Sequence, residues 1–144
     1  MFHRKDDQSF ISETGEAVTI LRQRYFCVTT DGKRFQREGT DWEMFYKKTL
    51  SLLIGNEIEV KYPYKGKEVT LRLKPAKLLV LEGNHIFMSP EDTHNISSLI
   101  NLRVFIDSDS DVRLSRRVYQ DTQEDKKDLN ESINNYLDYI KPSY

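Results

Sequence analysis

The stretch Leu-Leu-Val-Leu-Glu-Gly at residues 78–83 decides the fold class of this chain. Its first four residues are continuously apolar, a pattern typical of strands that are buried on both faces in parallel sheets. A second apolar run at 102–106 is partly similar, and the chain between the two is long enough for a helical crossover over part of 91–101. Two buried strands joined through a helix form a βαβ unit, so the sequence predicts an α/β fold.

Three helices are predicted around these strands. Asp41 is a favourable N-cap and Gly55 a favourable stop, and the apolar residues between them recur at helical spacing, so a helix is expected over 41–54. A second helix is expected over 110–123. A third begins at Asp128, where a capping box is followed by an apolar stripe, and ends at Pro142.

Shorter elements are predicted on either side of the first helix. Polar and apolar residues alternate over 57–62 and 68–73, which indicates a small hairpin over about 57–73. The run at 25–29 is rich in strand-forming residues, so a strand is expected there. Turns are expected at Asp6-Asp7 and at 31–33, and little else in the first forty residues is periodic.

Composition excludes several protein classes. The chain has 144 residues, with 22 Lys and Arg against 23 Asp and Glu and a net charge of -1, which gives no general reason to bind nucleic acid or an anionic membrane. Its single cysteine excludes an internal disulfide framework. No apolar run approaches the roughly 20 residues of a membrane helix, and the first residues lack a signal core. These features predict a small cytoplasmic domain.

The acid at the end of the first apolar run is one candidate for chemistry. Open α/β sheets bind their ligands at the carboxyl ends of the strands, and a carboxylate there can hold magnesium beside a phosphate. Glu82 occupies this position, and Gly83 permits a sharp turn after it. A strand that simply ends in a solvated glutamate is the equally open alternative. His85, three residues after Glu82, is either a base or phosphate contact or an ordinary loop residue.

Three arginines are the second candidate. Arg113, Arg116 and Arg117 are spaced to share one helix face, and guanidinium groups bind phosphate through paired hydrogen bonds. The charge pattern alone favours a solvated basic face that pairs with acids such as Asp121. The phosphate-binding alternative stays open. A Gly-x-x-x-x-Gly-Lys-Ser/Thr loop, which cradles nucleotide phosphates, does not occur in the 144 residues.

Several runs together carry a family resemblance. They are LLVLEG at 78–83 and LRVFIDSDSDVRLSRRV at 102–118, followed by Asp121, 127–129, Tyr136 and 141–142, with a looser match over 41–64. With these residues the chain resembles the uridine kinase and phosphoribulokinase family of P-loop kinases, most of all uridine–cytidine kinases. The resemblance implies a parallel sheet flanked by helices, incomplete at its N-terminus and carrying a small hairpin insertion. By this resemblance, residues 1–144 are expected to form one partial domain of the family.

The resemblance also implies an activity and residue roles. Such kinases transfer the γ-phosphate of ATP, with Mg²⁺, to a nucleoside hydroxyl in pyrimidine salvage. Arg113, Arg116 and Arg117 match arginines of a lid over the phosphates, here a lid-like helix over about 110–127. Glu82 matches the catalytic acid near the acceptor and the magnesium ion, which it would contact directly or through water. Nucleoside contacts are assigned to Tyr62, Tyr64, His85 and Lys127.

The departures from the family shape the functional expectation. The phosphate loop, first strand, first helix and second strand of the family are expected before Met1, so this chain is expected to be weak or inactive alone. One alternative is a non-catalytic regulatory protein that forms a homo-oligomer or pairs with a full-length kinase through an exposed sheet edge. A second is a kinase of a different acceptor, such as nicotinamide riboside, and a third is an isoform, fragment or incomplete gene product. No nucleic-acid or membrane partner is expected.

Overall fold

The chain forms two compact units. The computed structural model describes residues 3–4, 9–11, 16–28, 37–64, 66–88, 91, 93–124 and 126–143. A sheet unit comprises Met1–Val28 with Thr40–Asn101, and a helical unit comprises Thr29–Gly39 with Leu102–Tyr144. The turns predicted at Asp6-Asp7 and 31–33 fall outside the described residues, and the assignment of the whole chain to one domain stays a prediction.

A four-stranded sheet organises the sheet unit. Its strands, in spatial order, are β1 (His3–Arg4), β2 (Ser9–Ile11), β3 (Ala17–Arg22) and β6 (Leu78–Glu82). The first three pair antiparallel, and β3 pairs parallel with β6 in a register that joins Val18 to Leu78 and Arg22 to Glu82. This parallel pair confirms the predicted α/β class.

Two features of the first forty residues differ from the predictions. No strand was predicted at Ala17–Arg22, where β3 lies, because its buried Val18, Thr19 and Leu21 pack on both faces and hide any alternation. The strand predicted at 25–29 is wrong over its described residues, 25–28. Gln23–Phe26 forms a 3₁₀ helix instead, in which two aromatic residues turn into the core.

Helix α1 (Trp42–Leu53) confirms the helix predicted over 41–54. The Asp41 side chain accepts a hydrogen bond of 2.9 Å from the Met44 N–H, as an N-cap should. Gly55 follows with φ +93°, a left-handed conformation that costs a glycine little. Phe45 and Thr49 mark the buried face of the helix.

The predicted hairpin is also present. Strands β4 (Ile58–Tyr64) and β5 (Lys67–Leu73) pair antiparallel, with Ile58 opposite Leu73 and Tyr64 opposite Lys67. The strands run further toward the turn than the sequence predicts, and Gly66 has φ +76° there. Buried Ile58, Val60 and Leu71 alternate with exposed polar residues, so one face of the hairpin packs into the core.

The prediction for the two apolar runs is only half correct. β6 is a parallel strand, yet Leu78 is 44% exposed, because β6 lies at the edge of the described sheet and has one paired neighbour there. The second predicted strand, at 102–106, is wrong: in the described part of the chain these residues pair with no strand. A 3₁₀ helix, Ile96–Leu99, is the helical part of 91–101.

The helical unit contains helices that confirm the last two predicted ones. α2 (Ser110–Tyr119) continues as a π-helical turn at Gln120–Glu124. α3 (Leu129–Asn135) is capped by the Asp128 carboxylate, which accepts from the Asn130 and Glu131 N–H groups. A π-helical turn (Tyr136–Ile140) and a 3₁₀ turn (Lys141–Ser143) follow α3, and the Tyr136 hydroxyl donates to the Ser110 carbonyl at 3.0 Å. No helix in the described residues has the length and apolar character needed to cross a membrane.

Candidate functional site

The carboxyl ends of the parallel strands carry an ion pair. Arg22 and Glu82 face each other in the register of β3 and β6, and the Arg22 Nε lies 3.2 Å from a Glu82 carboxylate oxygen. The Glu82 side chain is 59% exposed, so it is accessible to a ligand from solvent. This is the edge at which open α/β sheets bind ligands, and Glu82 stands there as the sequence predicts.

A buried glutamine ties the two strand ends together. The Gln23 side chain donates to the Thr40 hydroxyl at 2.9 Å and accepts from the His85 N–H at 3.1 Å. Gly83 permits this close approach, because a Cβ atom at residue 83 would stand 2.6 Å from the Gln23 Cβ atom. Sequence reasoning missed Gln23 and Thr40, since neither belongs to a motif and their contacts join distant segments.

The predicted nucleoside contacts in the sheet unit differ in exposure. His85 is buried, with 5% of its surface exposed, rather than lying open in a loop. Tyr62 is also buried, and its ring centre lies 4.6 Å from that of Tyr25 and 6.4 Å from that of Tyr64. Tyr64 is 47% exposed, so of the three it offers the largest open surface for stacking.

The surroundings of Tyr25 favour its neutral form. Burial raises the pKa of Tyr25 above its ordinary value, and the neighbouring Tyr62 acts in the same direction, while Arg22 and Arg24 oppose the shift. A neutral phenol can donate and accept hydrogen bonds but does not serve as a base near neutral pH. Tyr25 therefore contributes to the ring cluster as a neutral packing residue.

The three arginines of α2 have unequal environments. The Arg113 Nη1 donates to the Ser108 carbonyl at 2.6 Å, and the Arg117 Nε donates to Asp121 Oδ2 at 3.0 Å. Arg113 and Arg117 are half-buried, whereas Arg116 is exposed. Arg117 thus pairs with Asp121, the acid that the sequence suggested as its partner, but the pair is buried rather than part of a solvated face.

Asp121 is the centre of a buried polar cluster that also includes Lys127. Besides the contact with Arg117, its carboxylate accepts from the Lys127 ammonium and from the Ser132 hydroxyl, each at 3.0 Å. The Lys127 N–H also donates to the Asp121 carbonyl at 2.9 Å. Burial opposes ionisation of this carboxyl, but the hydrogen bond from Lys127, the charge of Arg117 and the Ser132 hydroxyl outweigh it and lower the pKa of Asp121.

Glu82 is the magnesium ligand that the sequence predicts at the strand ends. Within the described residues, no three His, Cys, Asp or Glu side chains come close enough to hold a metal ion together. Magnesium is often held by one or two carboxylates plus substrate phosphates, without an all-protein cage. Glu82 fits that one-carboxylate arrangement.

The candidate residues thus form one group in each unit. In the sheet unit, Gln23 joins the loop that carries His85 to the end of β3, beside the Arg22–Glu82 pair. In the helical unit, Arg117 and Lys127 converge on Asp121, while Arg116 remains exposed.

Comparison with models of known protein families shows which family this chain belongs to. The sequence model described as "Phosphoribulokinase / Uridine kinase family" matches residues 9–144. The chain belongs to this family. The match includes both the strand that ends in Glu82 and the Arg-rich helix α2, the two features that carry most of the family resemblance.

Individual relatives of the phosphoribulokinase and uridine kinase family share part of their length with this chain. A uridine kinase of Lactobacillus johnsonii is 39% identical over 77 residues, which are 54% of this chain and 35% of the relative. Uridine-cytidine kinase 2-B of Danio rerio is 31% identical over 108 residues, 72% of this chain and 40% of the relative. Uridine kinase-like protein 3 of Arabidopsis thaliana is 36% identical over 73 residues, 51% of this chain and 15% of the relative. The matched region thus spans less than half the length of each of these relatives.

Proposed function

We propose that this chain supplies the acceptor side and the lid of an ATP-dependent kinase that phosphorylates a nucleoside hydroxyl in cytoplasmic pyrimidine salvage. The observation that carries the proposal is Glu82 at the carboxyl end of a parallel strand, in a chain of a kinase family. The names of the relatives support the acceptor class, since they are uridine and uridine–cytidine kinases.

Glu82 is the proposed catalytic carboxylate. Its carboxylate is exposed, and the Arg22 guanidinium at 3.2 Å restrains its orientation. Glu82 would accept a hydrogen bond from the acceptor hydroxyl and provide one oxygen ligand, direct or through water, to magnesium. Magnesium, when bound with ATP, would neutralise charge on the phosphates. The described residues suit this limited role, because the nucleotide itself would supply the remaining ligands.

Tyr64 is the best placed of the proposed nucleoside contacts. A base stacked on its half-exposed ring would extend the row of Tyr25, Tyr62 and Tyr64. His85 and Tyr62 are buried, so their proposed role is to shape the site from beneath rather than to meet the base directly. On the helical unit, the phosphate contact is proposed among the arginines of α2, and Arg116, the exposed one, is the first candidate.

The first prediction concerns the activity of the 144-residue chain. Because its sequence contains no Gly-x-x-x-x-Gly-Lys-Ser/Thr loop, we expect a turnover far below the ~1–100 s⁻¹ of typical kinases. Coupled ADP release with uridine, cytidine and nicotinamide riboside as acceptors measures it. Turnover within the ordinary kinase range would contradict the prediction.

Nucleoside binding tests the acceptor class independently of turnover. Equilibrium dialysis should show binding of uridine or cytidine, weakened roughly 5- to 150-fold by Tyr64→Ala, since stacking of a base on an aromatic ring contributes about 1–3 kcal/mol. The control is Tyr119→Ala, which removes a 66% exposed tyrosine of the helical unit. If neither pyrimidine nucleoside binds while nicotinamide riboside does, the acceptor is nicotinamide riboside. If none binds, the nucleoside assignment fails.

A regulatory protein that pairs with a complete kinase of the family is the second candidate function. The exposed apolar run at 102–106 favours it: Leu102, Val104, Phe105 and Ile106 are between 66% and 87% exposed. Extended apolar segments without a paired strand recruit strands from other chains, and exposed apolar patches often mark interfaces.

Size-exclusion chromatography tests the pairing. The chain mixed with the full-length Danio rerio uridine-cytidine kinase should elute earlier than either protein alone. Ile106→Lys should abolish the shift, because a charge would have to be buried in the interface. Tyr119→Lys, at a site 66% exposed elsewhere in the helical unit, is the matched control and should leave the shift intact. Elution of the unchanged chain as a monomer in both conditions would exclude this function.

A further inference from the structure

The Asp121 carboxylate binds two cationic side chains, Arg117 and Lys127, that the family resemblance assigns to ligand binding. Its carboxylate is 1% exposed and lies in the turn that follows α2. The cationic groups that contact it come from two sides: Arg117 from α2, and Lys127 from the segment before α3. From α3 it receives the neutral Ser132 hydroxyl. One buried negative charge is therefore compensated by two positive charges.

The backbone between these groups supports a fixed arrangement. Lys126 has φ +56°, a left-handed conformation that is uncommon for a residue with a side chain. This reversal is followed at once by Lys127, whose N–H and ammonium both bind Asp121. Strained backbone conformations persist where surrounding contacts stabilise them. The two contacts of Lys127 with Asp121 stabilise the conformation of Lys126 in this way.

We infer that Asp121 is a positioning residue that retains Arg117 and Lys127 inside the helical unit, so that Arg116 rather than these two meets the phosphates of a bound nucleotide. The inference rests on the proposed function. It gives Arg117 and Lys127 a structural role and leaves Arg116 as the residue that contacts the ligand. It assigns Lys127 to the fold of the helical unit instead of to the nucleoside.

Electrostatics explains the division. If Arg117 or Lys127 turned toward a phosphate, Asp121 would stay buried but would have one cationic partner instead of two. A buried carboxylate with less compensating positive charge destabilises the fold. A phosphate that instead approached the intact cluster would meet the negative charge of Asp121 as well as the two cations. Arg116 is exposed on the same helix, so it can bind a phosphate without removing a cation from Asp121 and without bringing the phosphate to that carboxylate.

Three single variants of the full chain test the inference, with inorganic tripolyphosphate as the probe in titration calorimetry. Arg116→Ala should lower the affinity roughly 10-fold or more, as expected for loss of a hydrogen bond between two charged groups, and leave thermal unfolding unchanged. Arg117→Ala and Lys127→Ala should alter the affinity less than about 3-fold and lower the unfolding temperature of the helical unit.

Conservative variants keep the test decisive if an alanine variant does not fold. Arg117→Lys and Lys127→Arg retain a cation for Asp121, so both stability and tripolyphosphate affinity should stay close to those of the unchanged chain. A conservative variant that keeps its stability but loses affinity as strongly as Arg116→Ala would overturn the inference.

The outcomes separate this inference from the proposed function. Loss of affinity in Arg117→Ala or Lys127→Ala at unchanged thermal stability overturns the inference and leaves phosphate binding by the helical unit in place. If the unchanged chain binds no tripolyphosphate while both alanine variants unfold earlier, the phosphate-binding role of α2 fails. Retention of Arg117 and Lys127 by Asp121 is then supported.

Discussion

Replacing Asp121 with asparagine is expected to lower the free energy of unfolding of the helical unit by about 3–5 kcal/mol, the range seen when one partner of a buried ion pair is removed. The carboxylate is 1% exposed and accepts three side-chain hydrogen bonds, from Arg117, Lys127 and Ser132. A neutral amide in its place would remove the negative charge that both half-buried cations contact. Thermal unfolding followed by far-ultraviolet circular dichroism, with amide hydrogen exchange of α2 and α3, measures the loss.

The same variant should also change the response to acid. The pKa of Asp121 is lowered in the folded chain, whereas in the unfolded chain it lies at about 3.9. The ion pairs therefore stabilise the fold fully above the unfolded value, and their contribution is lost as the pH falls through the lower folded value. Between about pH 5 and pH 2, stability should fall less steeply in Asp121→Asn than in the unchanged chain.

Asp138→Asn is the matched control, because Asp138 is an exposed acid of the same unit. Its effect on stability should stay within about 0.5 kcal/mol, as for most surface substitutions. Equal unfolding temperatures for Asp121→Asn and Asp138→Asn would mean that the buried cluster does not stabilise the helical unit.

Replacing Phe45 with alanine should destabilise the sheet unit by about 3–5 kcal/mol, because the substitution removes a large core side chain and leaves a cavity. Phe45 is fully buried at the centre of the core. Its ring stacks on that of Phe26 at 4.9 Å between centres and contacts that of Trp42 at 5.9 Å. The substitution thus loosens α1 and the 3₁₀ helix after β3 together.

The single tryptophan, Trp42, provides the local measurement, since it touches Phe45 and its fluorescence reports on the sheet unit. Urea unfolding of Phe45→Ala should shift to a lower midpoint. Phe87→Ala makes the same chemical change at a 45% exposed position and should cost about 1 kcal/mol or less, in proportion to its smaller buried area. A Phe45 effect no larger than the Phe87 effect would contradict the assigned core.

Much of the fold was predictable wherever a few neighbouring residues determine the backbone. Helix α1 begins after Asp41, whose carboxylate binds an N–H three residues on, and it ends before Gly55 with its positive φ. The hairpin follows from alternation over a short segment, and Asp128 caps α3 as its spacing to Glu131 predicts. These features depend on contacts within one or two turns of chain, which the sequence displays directly.

Errors arose where distant segments decide the structure. The residues at 25–29 are good strand formers, but Tyr25 and Phe26 pack on Tyr62 and Phe45, and a 3₁₀ turn is what brings them there. The apolar run at 102–106 has strand-like composition, yet a strand also needs a paired neighbour, and the described residues provide none. Strand propensity measures fit to a sheet surface and cannot supply the sheet.

The candidate site divides in the same way. The sequence by itself determined that an acid, Glu82, ends an apolar strand and that three arginines lie on one following helix, because both are properties of contiguous residues. Only the tertiary structure decided that Arg22 faces Glu82, that Gln23 anchors the loop of His85, and that Lys127 joins Arg117 on Asp121. These contacts depend on strand register and on the path of a turn, and burial then determines which charged side chains remain accessible to a ligand.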